Sequence, residues 1–307
     1  SGSQEIILLS LIFICHKVHA NIINTKNKIL EKELDLSFLK KLMRNIKYII
    51  SIQTYNSLQN ADQILSEINK FNLNIAEIII IDNNSNNMSF NEKENLYNNL
   101  KKKYNYSVTF ILNKENYGIG GSFKILFEYI NNKNFDYWIN LQSSGRYELN
   151  QVIKNLIDIQ SSQSNFDYYL HSRFLISENT KNYDFLRKVA NLVFIKLTKI
   201  LTKCNFSDPG MSVFMIKKDI CDIFLNEDFN LLTNDSHFPH FMNVILFKHI
   251  KTYKEVNINW KEGNVKSHLN SFTYPLLLLL NLILFSLKGS FIKYPYKNKF
   301  DYKLLKN

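Results

Sequence analysis

Polar side chains stand where two apolar runs of the sequence end. The run DYWINL gives way to Gln142, Ser143, Ser144 and Gly145, and the run AEIIII gives way to Asp82. An amide or carboxylate in such a place can hydrogen-bond a ligand, or it can simply make the turn after a strand. Neutral amide and hydroxyl oxygens bind Mg²⁺ or Mn²⁺ far less readily than carboxylates, so the first turn lacks the groups that normally clamp a divalent cation.

Two other clusters carry residue types that bind ligands. Gly118, Gly120 and Gly121 in NYGIGG allow a close backbone approach and begin a predicted helix whose amino end favours anions, although a tight turn explains them equally well. His237 and His240 have a spacing that suits a metal site on a helix. A proline intervenes between the two histidines, and two isolated histidines more often belong to a surface or a core.

Strand and helix patterns alternate around these residues. KYIISIQTYN, AEIIIIDNNSNN, YSVTFILN and FDYWINLQ are β-branched or aromatic runs that predict buried strands, with helical patterns between them. This alternation predicts an α/β domain with a mostly parallel central sheet flanked by helices. Ligands bind at the carboxyl ends of such strands, so loops 53–56, 82–85 and 142–145 are expected to converge on one crevice.

The first predicted helix and the N-terminal region have distinct patterns. After the first strand, Ser57 or Asn60 can cap a helix whose apolar face contains Ile64, Leu65 and Ile68. Residues 20–45 have apolar residues at helical spacing, which predicts one or two amphipathic helices. We therefore predict an N-terminal helical extension (1–45), a catalytic domain (46–270) and an apolar, basic C-terminal tail (271–307).

The charge and cysteine content narrow the cellular context. The 38 Lys and Arg against 27 Asp and Glu give a formal net charge of +11, which favours anionic partners, although basic residues also simply keep surfaces soluble. No nucleic-acid-binding motif accompanies this charge. Cys15, Cys204 and Cys221 have neither disulfide nor zinc spacing, which predicts a reducing, cytoplasmic compartment and no structural metal.

Two apolar stretches, 6–15 and 276–287, are shorter than the roughly 20 apolar residues that span a bilayer as a helix. The second has basic and tyrosine residues at its margins: Lys266, Tyr274, Lys288, Lys293, Tyr294, Tyr296 and Lys297. That composition is typical of a helix in the membrane interface, and a core helix is the alternative. A peripheral position at the inner face of a plasma membrane follows from the first interpretation.

Seven segments in order resemble a known family. IISIQTYN, EIIIIDNNS, NYGIGG, YWINLQSSGRYELNQVIKNLI, FDYYLHSRF, SDPGMSVFMIKKDI and EVNINWKEGNVKSHLN resemble motifs of the inverting family-two glycosyltransferases. More narrowly, they are similar to those of bacterial and other dolichol- or polyprenyl-phosphate sugar transferases. The resemblance covers roughly residues 46–270, and it implies a GT-A-like, nucleotide-binding fold.

The resemblance implies a nucleotide-sugar donor and assigns residues to it. Asp82 would hydrogen-bond the base and Tyr55 would flank it. The uncharged turn at Gln142–Ser144, which we call the neutral turn, would lie against the donor phosphate. The implied donor-binding residues are Thr54, Tyr55, Asn56, Asp82, Asn84, Gly120, Gly121, Gln142, Ser143 and Ser144.

The resemblance also implies an acceptor side. Asp235 would be the general base or a helix N-cap, Asp208 would orient the acceptor or cap a turn, and Arg173 would hold a phosphate or be a surface arginine. The implied contacts to the acceptor or its phosphate are Ser172, Lys261, Lys266 and His268. The acceptor would be a polyprenyl phosphate or a growing surface polysaccharide, near a membrane.

The sequence departs from this family at its Asp-x-Asp motif, whose place is taken by Gln142-Ser143-Ser144. Three explanations stay open: basic groups such as Arg146 neutralise the leaving phosphate, the donor carries a single phosphate, or the protein binds a nucleotide sugar without turnover. Carboxylates elsewhere, Glu148 among them, could still gather Mg²⁺ or Mn²⁺. We expect a metal-independent transferase, with a catalytically degenerate binding protein as the alternative.

Overall fold

Four of the predicted strands form the parallel centre of one sheet. They are β1 (Lys47–Thr54), β2 (Asn74–Asp82), β3 (Val108–Asn113) and β4 (Tyr137–Gln142). Strand β1 pairs in parallel with β2 and β4, and β2 pairs in parallel with β3. Their side chains are almost all buried on both faces, which explains why these runs are continuously apolar and do not alternate.

The computed structural model describes residues 46–71, 73–161, 166–176, 183–226, 228–261, 273–294 and 300–306, within a unit that spans Ile46–Asn307. The predicted N-terminal helices, together with Cys15, Lys266 and His268, lie outside the described residues.

Four further strands complete the sheet. They are β5 (Tyr168–Ser172), β6 (Phe214–Lys217), β7 (Tyr253–Asn257) and β8 (Tyr302–Leu305), and the strand order is β7-β5-β6-β4-β1-β2-β3-β8. Strand β6 is antiparallel to β4 and β5, and β8 is antiparallel to β3. The end of the predicted C-terminal tail is therefore part of the sheet.

Helices occupy most of the segments between the strands. Their bounds are α1 (Ala61–Asn69), α2 (Phe90–Lys103), α3 (Gly118–Ile130), α4 (Leu149–Ser161), α5 (Phe185–Thr202), α6 (Lys218–Asn226), α7 (Phe238–His249) and α8 (Thr273–Lys288). Short 3₁₀ turns cover Leu58–Asn60 and Asp228–Leu231. In α1, Leu65 and Ile68 are buried as predicted, but neither Ser57 nor Asn60 makes a side-chain cap.

Aromatic side chains pack the core beneath the central strands. Trp138 is fully buried and lies edge-on to Phe127 and Phe214, with ring centroids 4.8 and 5.2 Å away. Its indole Nε1 donates to Ser51 Oγ at 2.7 Å, so the polar end of the ring is satisfied. Ser51 Oγ in turn donates to Asn140 Oδ1 at 2.7 Å, which joins this core to the polar strand ends.

Cys204 and Cys221 are buried free thiols, and burial raises the pKa of both well above the ordinary thiol range, so neither is poised as a nucleophile. Among the helices described, none combines the length and apolar content needed to cross a bilayer.

Candidate functional site

The loops after β1, β2 and β4 lie side by side at one edge of the sheet. Because these strands are parallel neighbours, the chain leaves the sheet in the same direction at each of them. The Asn56 amide donates to Ser85 Oγ at 2.6 Å, and the Ser143 amide donates to the Gln53 carbonyl at 3.1 Å. The predicted convergence of these loops is confirmed, and we call the edge that they form the strand-end crevice.

Asp82 supports the loop after β2 from beneath. Its side chain is fully buried, Oδ2 pairs with Lys93 Nζ at 2.8 Å, and Oδ1 accepts from Thr54 Oγ1 at 3.1 Å. The hydroxyl and amide of Ser85 also donate to this carboxylate. The predicted contact between Asp82 and a nucleotide base stays a prediction, and the burial of Asp82 with Thr54, Ser85 and Lys93 as partners favours a structural role.

Three of the predicted donor-binding residues project outward from the crevice. The Tyr55 side chain is 44% exposed, and Asn56 and Asn84 are exposed at φ values of 53° and 61°. Asparagine tolerates this left-handed conformation better than most residues do. The exposed tyrosine ring offers a flat face on which a base can stack, whereas Thr54 is buried against Asp82.

The turn that follows β4 is fixed by neutral hydrogen bonds. The Tyr147 hydroxyl accepts from the Gln142 amide at 2.7 Å and donates to the Gln142 carbonyl at 2.9 Å, which closes the turn. Ser143 is buried, and its hydroxyl contacts the hydroxyl of Ser57. Ser144 is exposed and faces outward from the turn. The turn is therefore rigid at its base, with Ser144 as its exposed polar group.

The donor set of this turn does not fit a divalent cation, since it consists of amide and hydroxyl oxygens. Glu148, Asp208 and Asp235, three carboxylates in the described parts of the neighbouring loops, are each paired with a basic side chain of the same chain. In the part of the chain that the structure describes, no three His, Cys, Asp or Glu side chains group as a metal site.

Arg173 and Asp208 form a buried, two-pronged ion pair. Arg173 Nε lies 2.7 Å from Asp208 Oδ2 and Nη2 lies 2.8 Å from Oδ1, with side chains 13% and 2% exposed. Burial lowers the pKa of Arg173, but the charge and hydrogen bonds of Asp208 outweigh it, so the net pKa is raised. Both residues were predicted to act on substrate. In the structure each is instead the other's partner, and the roles toward substrate stay predictions.

Trp260 packs between the turn after β4 and Arg173. Its ring stacks on Tyr147 with centroids 6.2 Å apart, and the guanidinium carbons of Arg146 and Arg173 lie 6.0 and 5.3 Å from its centroid. The adjacent Lys261 amide donates to the Arg146 carbonyl at 2.7 Å. This packing places two basic side chains, those of Arg146 and Lys261, beside the neutral turn.

Ser172 and Lys261, both predicted to contact the acceptor, differ in accessibility. Ser172 is buried, and its hydroxyl lies 2.6 Å from Ser207 Oγ, so its predicted contact with the acceptor stays a prediction that the burial does not favour. Lys261 Nζ lies 2.9 Å from Glu148 Oε1 in a pair whose side chains are 66% and 55% exposed. Exposed pairs of this kind contribute only about 0–1 kcal/mol, so Lys261 can exchange Glu148 for a ligand.

The glycine-rich start of α3 makes a close approach, but to the chain itself. A Cβ on Gly120 would lie 2.6 Å from the Thr233 carbonyl oxygen, and a Cβ on Gly118 would lie 2.2 Å from the Asn234 oxygen. The Gly120 amide donates to that Asn234 oxygen at 2.8 Å. Gly121, likewise predicted to bind the donor, faces the Tyr117 side chain. Gly118 and Gly120 therefore lie against residues 233–234, and the predicted donor contacts of Gly120 and Gly121 stay predictions.

Lys124 strengthens the same attachment from the next turn of α3. Its Nζ donates to the Leu232 carbonyl at 2.6 Å and to Asn234 Oδ1 at 2.7 Å. Burial lowers the pKa of Lys124 to about 8. Helix α3 thus fixes the segment immediately before Asp235, which sets the position of that carboxylate at the edge of the site.

Replacing Gly120 with alanine should displace residues 233–234. The added Cβ meets backbone at under 3 Å, so we expect a loss of about 1–3 kcal/mol in the free energy of unfolding, measured in urea. Gly210→Ala is the matched control, because its nearest new contact would be at 3.9 Å. Equal stability of the two variants would contradict the proposed attachment.

Asp235 and His237 form a dyad at the start of α7. Asp235 Oδ1 accepts from the His237 amide and from His237 Nδ1, each at 2.8 Å, while the Asp235 side chain is 54% exposed. Burial raises the pKa of Asp235, but its hydrogen bonds with His237 and Thr233 outweigh this, and the net pKa lies below the ordinary value. Asp235 is therefore an ionised carboxylate at neutral pH, oriented by a histidine and open to solvent.

Tyr274 connects this dyad to the buried ion pair. Its ring stacks on His237 with centroids 4.0 Å apart, and its carbonyl lies 2.9 Å from His237 Nε2. Burial raises the pKa of the Tyr274 hydroxyl to about 12, and this hydroxyl is close enough to Arg173, Asp235 and Asp208 to feel their charges. The dyad and the ion pair therefore belong to one cluster, beside the strand-end crevice.

His240 is not a partner of His237 in a metal site. Its Nε2 lies 2.8 Å from Thr198 Oγ1, in the core between α5 and α7. His237 is engaged with Asp235 and Tyr274. The two histidines thus have separate structural partners, which argues against the helical metal site that their spacing allowed.

Acid is expected to destabilise the fold through two buried histidines. Burial lowers the pKa of His240 to about 3 and that of His171 to about 4, from an ordinary 6.5. Both histidines are neutral in the folded protein. Their contribution to the free energy of unfolding is therefore complete above pH 6.5, and it is lost as the pH falls toward the pKa of the folded state. Between pH 6.5 and pH 5, each should remove about 2 kcal/mol from the free energy of unfolding.

Urea unfolding at about pH 7 and pH 5 measures this effect. The variant His240→Gln should show roughly half of the wild-type loss on acidification, because one of the two titrating groups is gone. An undiminished loss in the variant would show that other groups control the acid response.

Sequence reasoning missed the aromatic residues that hold the site together: Tyr147, Tyr183, Trp260 and Tyr274. Tyr147 and Trp260 lie within the family-like motifs, and Tyr274 lies beside the apolar stretch 276–287. An aromatic residue in or beside a motif can therefore indicate a packing partner of the site.

A cavity of about 430 Å³ opens at the opposite edge of the sheet. It is lined by residues at the amino ends of β1, β2 and β3, together with Tyr129, Lys133 and Lys306. Ligands of parallel α/β sheets bind at the carboxyl ends of the strands, so this cavity is not the candidate site.

Comparisons with known proteins concern the fold. No protein-family model matches the sequence, and no curated protein matches it. The structure is similar to glucosyl-3-phosphoglycerate synthase from Mycobacterium tuberculosis in complex with UDP, with a TM-score of 0.54 and 9% identity over 81% of this chain and 82% of that chain. The same enzyme with Mn²⁺ and UDP-glucose gives a TM-score of 0.54 and 9% identity over 87% and 89%.

TarS from S. aureus in complex with UDP-GlcNAc is more distant, with a TM-score of 0.48 and 12% identity over 80% of this chain and 67% of that chain. The fold of the present chain is that of the GT-A glycosyltransferases, a mixed α/β fold with a central sheet flanked by helices. The narrower resemblance to dolichol- and polyprenyl-phosphate sugar transferases stays a prediction.

Proposed function

We propose that this protein is a glycosyltransferase that moves a sugar from a nucleotide-sugar donor to an acceptor, with inversion at the anomeric carbon. The observation that carries the proposal is the Asp235–His237 dyad, a half-exposed and ionised carboxylate held beside the strand-end crevice of a GT-A fold. A base of this kind is what activation of a hydroxyl acceptor requires.

The reaction follows from the positions of these groups. Asp235 takes the proton of the acceptor hydroxyl as its oxygen attacks the anomeric carbon, and the bond from that carbon to the donor phosphate oxygen breaks in line. A single displacement inverts the configuration, and the nucleotide leaves with the bonding electron pair. His237 holds Asp235 in place through the amide and Nδ1 contacts, and it keeps the carboxylate ionised.

Negative charge on the departing phosphate is stabilised by basic side chains in this proposal. Arg146 and Lys261 stand beside the neutral turn formed by Gln142 and Ser144, and Lys261 is accessible. Fixed positive groups in a partly desolvated site stabilise developing charge in the transition state. Such a site works without the carboxylate-bound cation for which the turn is unsuited.

An acceptor that is already a phosphate would change the demand on Asp235. A polyprenyl phosphate is an anionic nucleophile and needs less help from a base, and Lys261 would meet its charge together with Lys266 and His268, which lie outside the described residues.

The neutral turn also favours a second candidate, a protein of this fold that binds a nucleotide sugar without turning it over. Isothermal calorimetry with UDP-, GDP-, dTDP- and CMP-sugars, followed by transfer assays with the donor that binds, separates the two. Binding with turnover supports the transferase. Binding without turnover on hydroxyl and phosphate acceptors supports the degenerate protein, and absence of binding contradicts both.

A further inference from the structure

Helix α8 exposes an apolar stripe along its length. Leu276, Leu280, Ile283 and Leu287 recur at the spacing of one helical face, and their side chains are 62%, 45%, 40% and 76% exposed. The opposite face is buried through Leu278, Asn281, Leu282 and Phe285. One face of this helix thus packs on the protein, and the other presents leucines to the surroundings.

Helix α5 also exposes apolar side chains along one face. Phe185, Leu186 and Ile200 are 74%, 76% and 65% exposed, and Val189 and Val193 continue the same face at 42% and 50%. Apolar residues of this size are normally covered in a water-soluble helix. Of the residues in α5, Thr198 alone is buried.

The two helices pack against each other, so their exposed residues belong to one region of the surface. A soluble protein rarely exposes large contiguous apolar areas unless another surface covers them. We call the exposed apolar residues of α5 and α8 the two-helix face.

The charge of both helices identifies the partner of this face. Neither helix sequence contains an aspartate or a glutamate, and together they carry five basic residues: Arg187, Lys188, Lys196, Lys199 and Lys288. Apolar side chains interspersed with cations are typical of helices that lie in the interface of a bilayer with anionic lipids. A protein partner with an apolar surface would not by itself require this one-sided charge.

Both helices begin at the candidate site. Tyr183, two residues before α5, accepts a hydrogen bond from Arg173 Nη1 at 3.2 Å. Tyr274, in the first turn of α8, stacks on His237. A surface bound to the two-helix face therefore lies next to the acceptor side of the Asp235 dyad.

We propose that the two-helix face docks onto a bilayer that contains anionic lipids, so that a lipid-linked acceptor reaches the Asp235 dyad from the membrane. The docking itself goes beyond the proposed function and does not depend on it. The delivery of a lipid-linked acceptor rests on the proposed function.

Vesicle flotation of the full chain tests the docking. The probes are phosphatidylcholine vesicles with and without about 30% phosphatidylglycerol, at low and high salt. The first variant combines Leu280→Gln and Ile283→Gln, and the second combines Val189→Gln and Val193→Gln. Removal of residues 271–307 is unsuitable, because it would also remove β8 from the sheet.

Phe90→Gln with Ile223→Gln is the matched control, since both side chains are 41% exposed and lie outside the two-helix face. We expect the wild type and the control to float with the anionic vesicles, and each face variant to lose about tenfold or more in vesicle partitioning. High salt should weaken the binding of the wild type. Circular dichroism melts should be the same for all variants, because each substitution is on the surface.

Three results would overturn the proposal: no flotation of the wild type, an equal loss in the control, or a wild-type dimer that the face variants convert to a monomer. The last would make a second copy of the chain the partner of this face. Donor turnover with a soluble acceptor is measured in parallel. A wild type that turns over the donor but does not float removes only the membrane proposal, and a wild type that floats without turnover removes only the proposed function.

Discussion

Replacing Asp235 with asparagine is expected to lower sugar transfer to a hydroxyl acceptor by about 10²–10⁴-fold, the usual contribution of a positioned general base. The amide keeps the shape of the side chain and can still accept from His237, but it cannot take a proton. The loss should appear in kcat, with little change in the binding of the donor. Initial rates at saturating donor concentration measure it.

Asp62→Asn is the control for this substitution. Asp62 is also a partly exposed carboxylate paired with a basic side chain, Lys103, but it lies on α1 away from the cluster. The control should leave the rate unchanged. Because the pKa of Asp235 lies below the ordinary 3.8, the wild-type rate should show no loss of the base between about pH 7 and pH 5. A full rate in Asp235→Asn would remove the base from the mechanism, and would favour an acceptor that is already anionic.

Replacing Arg173 with methionine is expected to lower the free energy of unfolding by about 3–5 kcal/mol. The variant leaves the Asp208 carboxylate, which is 2% exposed, without the guanidinium that compensates its charge. Urea unfolding measures the change. The double variant Arg173→Met with Asp208→Leu should recover much of the loss, because removing both charges also removes the desolvation cost.

Lys103→Met provides the comparison for an exposed pair. Lys103 and Asp62 are 55% and 46% exposed, and solvent screens such pairs, so this variant should lose little stability. If Arg173→Met were as stable as Lys103→Met and instead failed to bind the donor, Arg173 would be a phosphate ligand and the structural assignment would be wrong.

The local features of this fold were readable from the sequence. The β-branched runs that became β1 to β4 are continuously apolar because both faces of the sheet are covered, and their strand-end loops meet as the parallel arrangement requires. Strand β8 was not predicted, because four residues near the end of the chain become a strand only through pairing with β3.

The partners of the site residues were harder to predict. Gly120 was predicted to contact a ligand. In the structure it lies against Thr233, which is more than a hundred residues away in the sequence. Arg173 and Asp208 were both assigned to substrate, and nothing in their separate motifs indicated that they pair with each other. A motif marks which residue types lie at an edge, whereas their partners depend on long-range packing.

The central claim is that this chain transfers a sugar with its own acidic and basic groups. The neutral turn at Gln142–Ser144 supports it, because amide and hydroxyl oxygens do not suit a divalent cation. The most direct test is the initial rate of transfer from the donor that binds, measured with EDTA and with added Mn²⁺. We expect the same rate under both conditions, since Asp235, Arg146 and Lys261 supply the base and the positive charge. A rate abolished by EDTA and restored by Mn²⁺ would contradict the account.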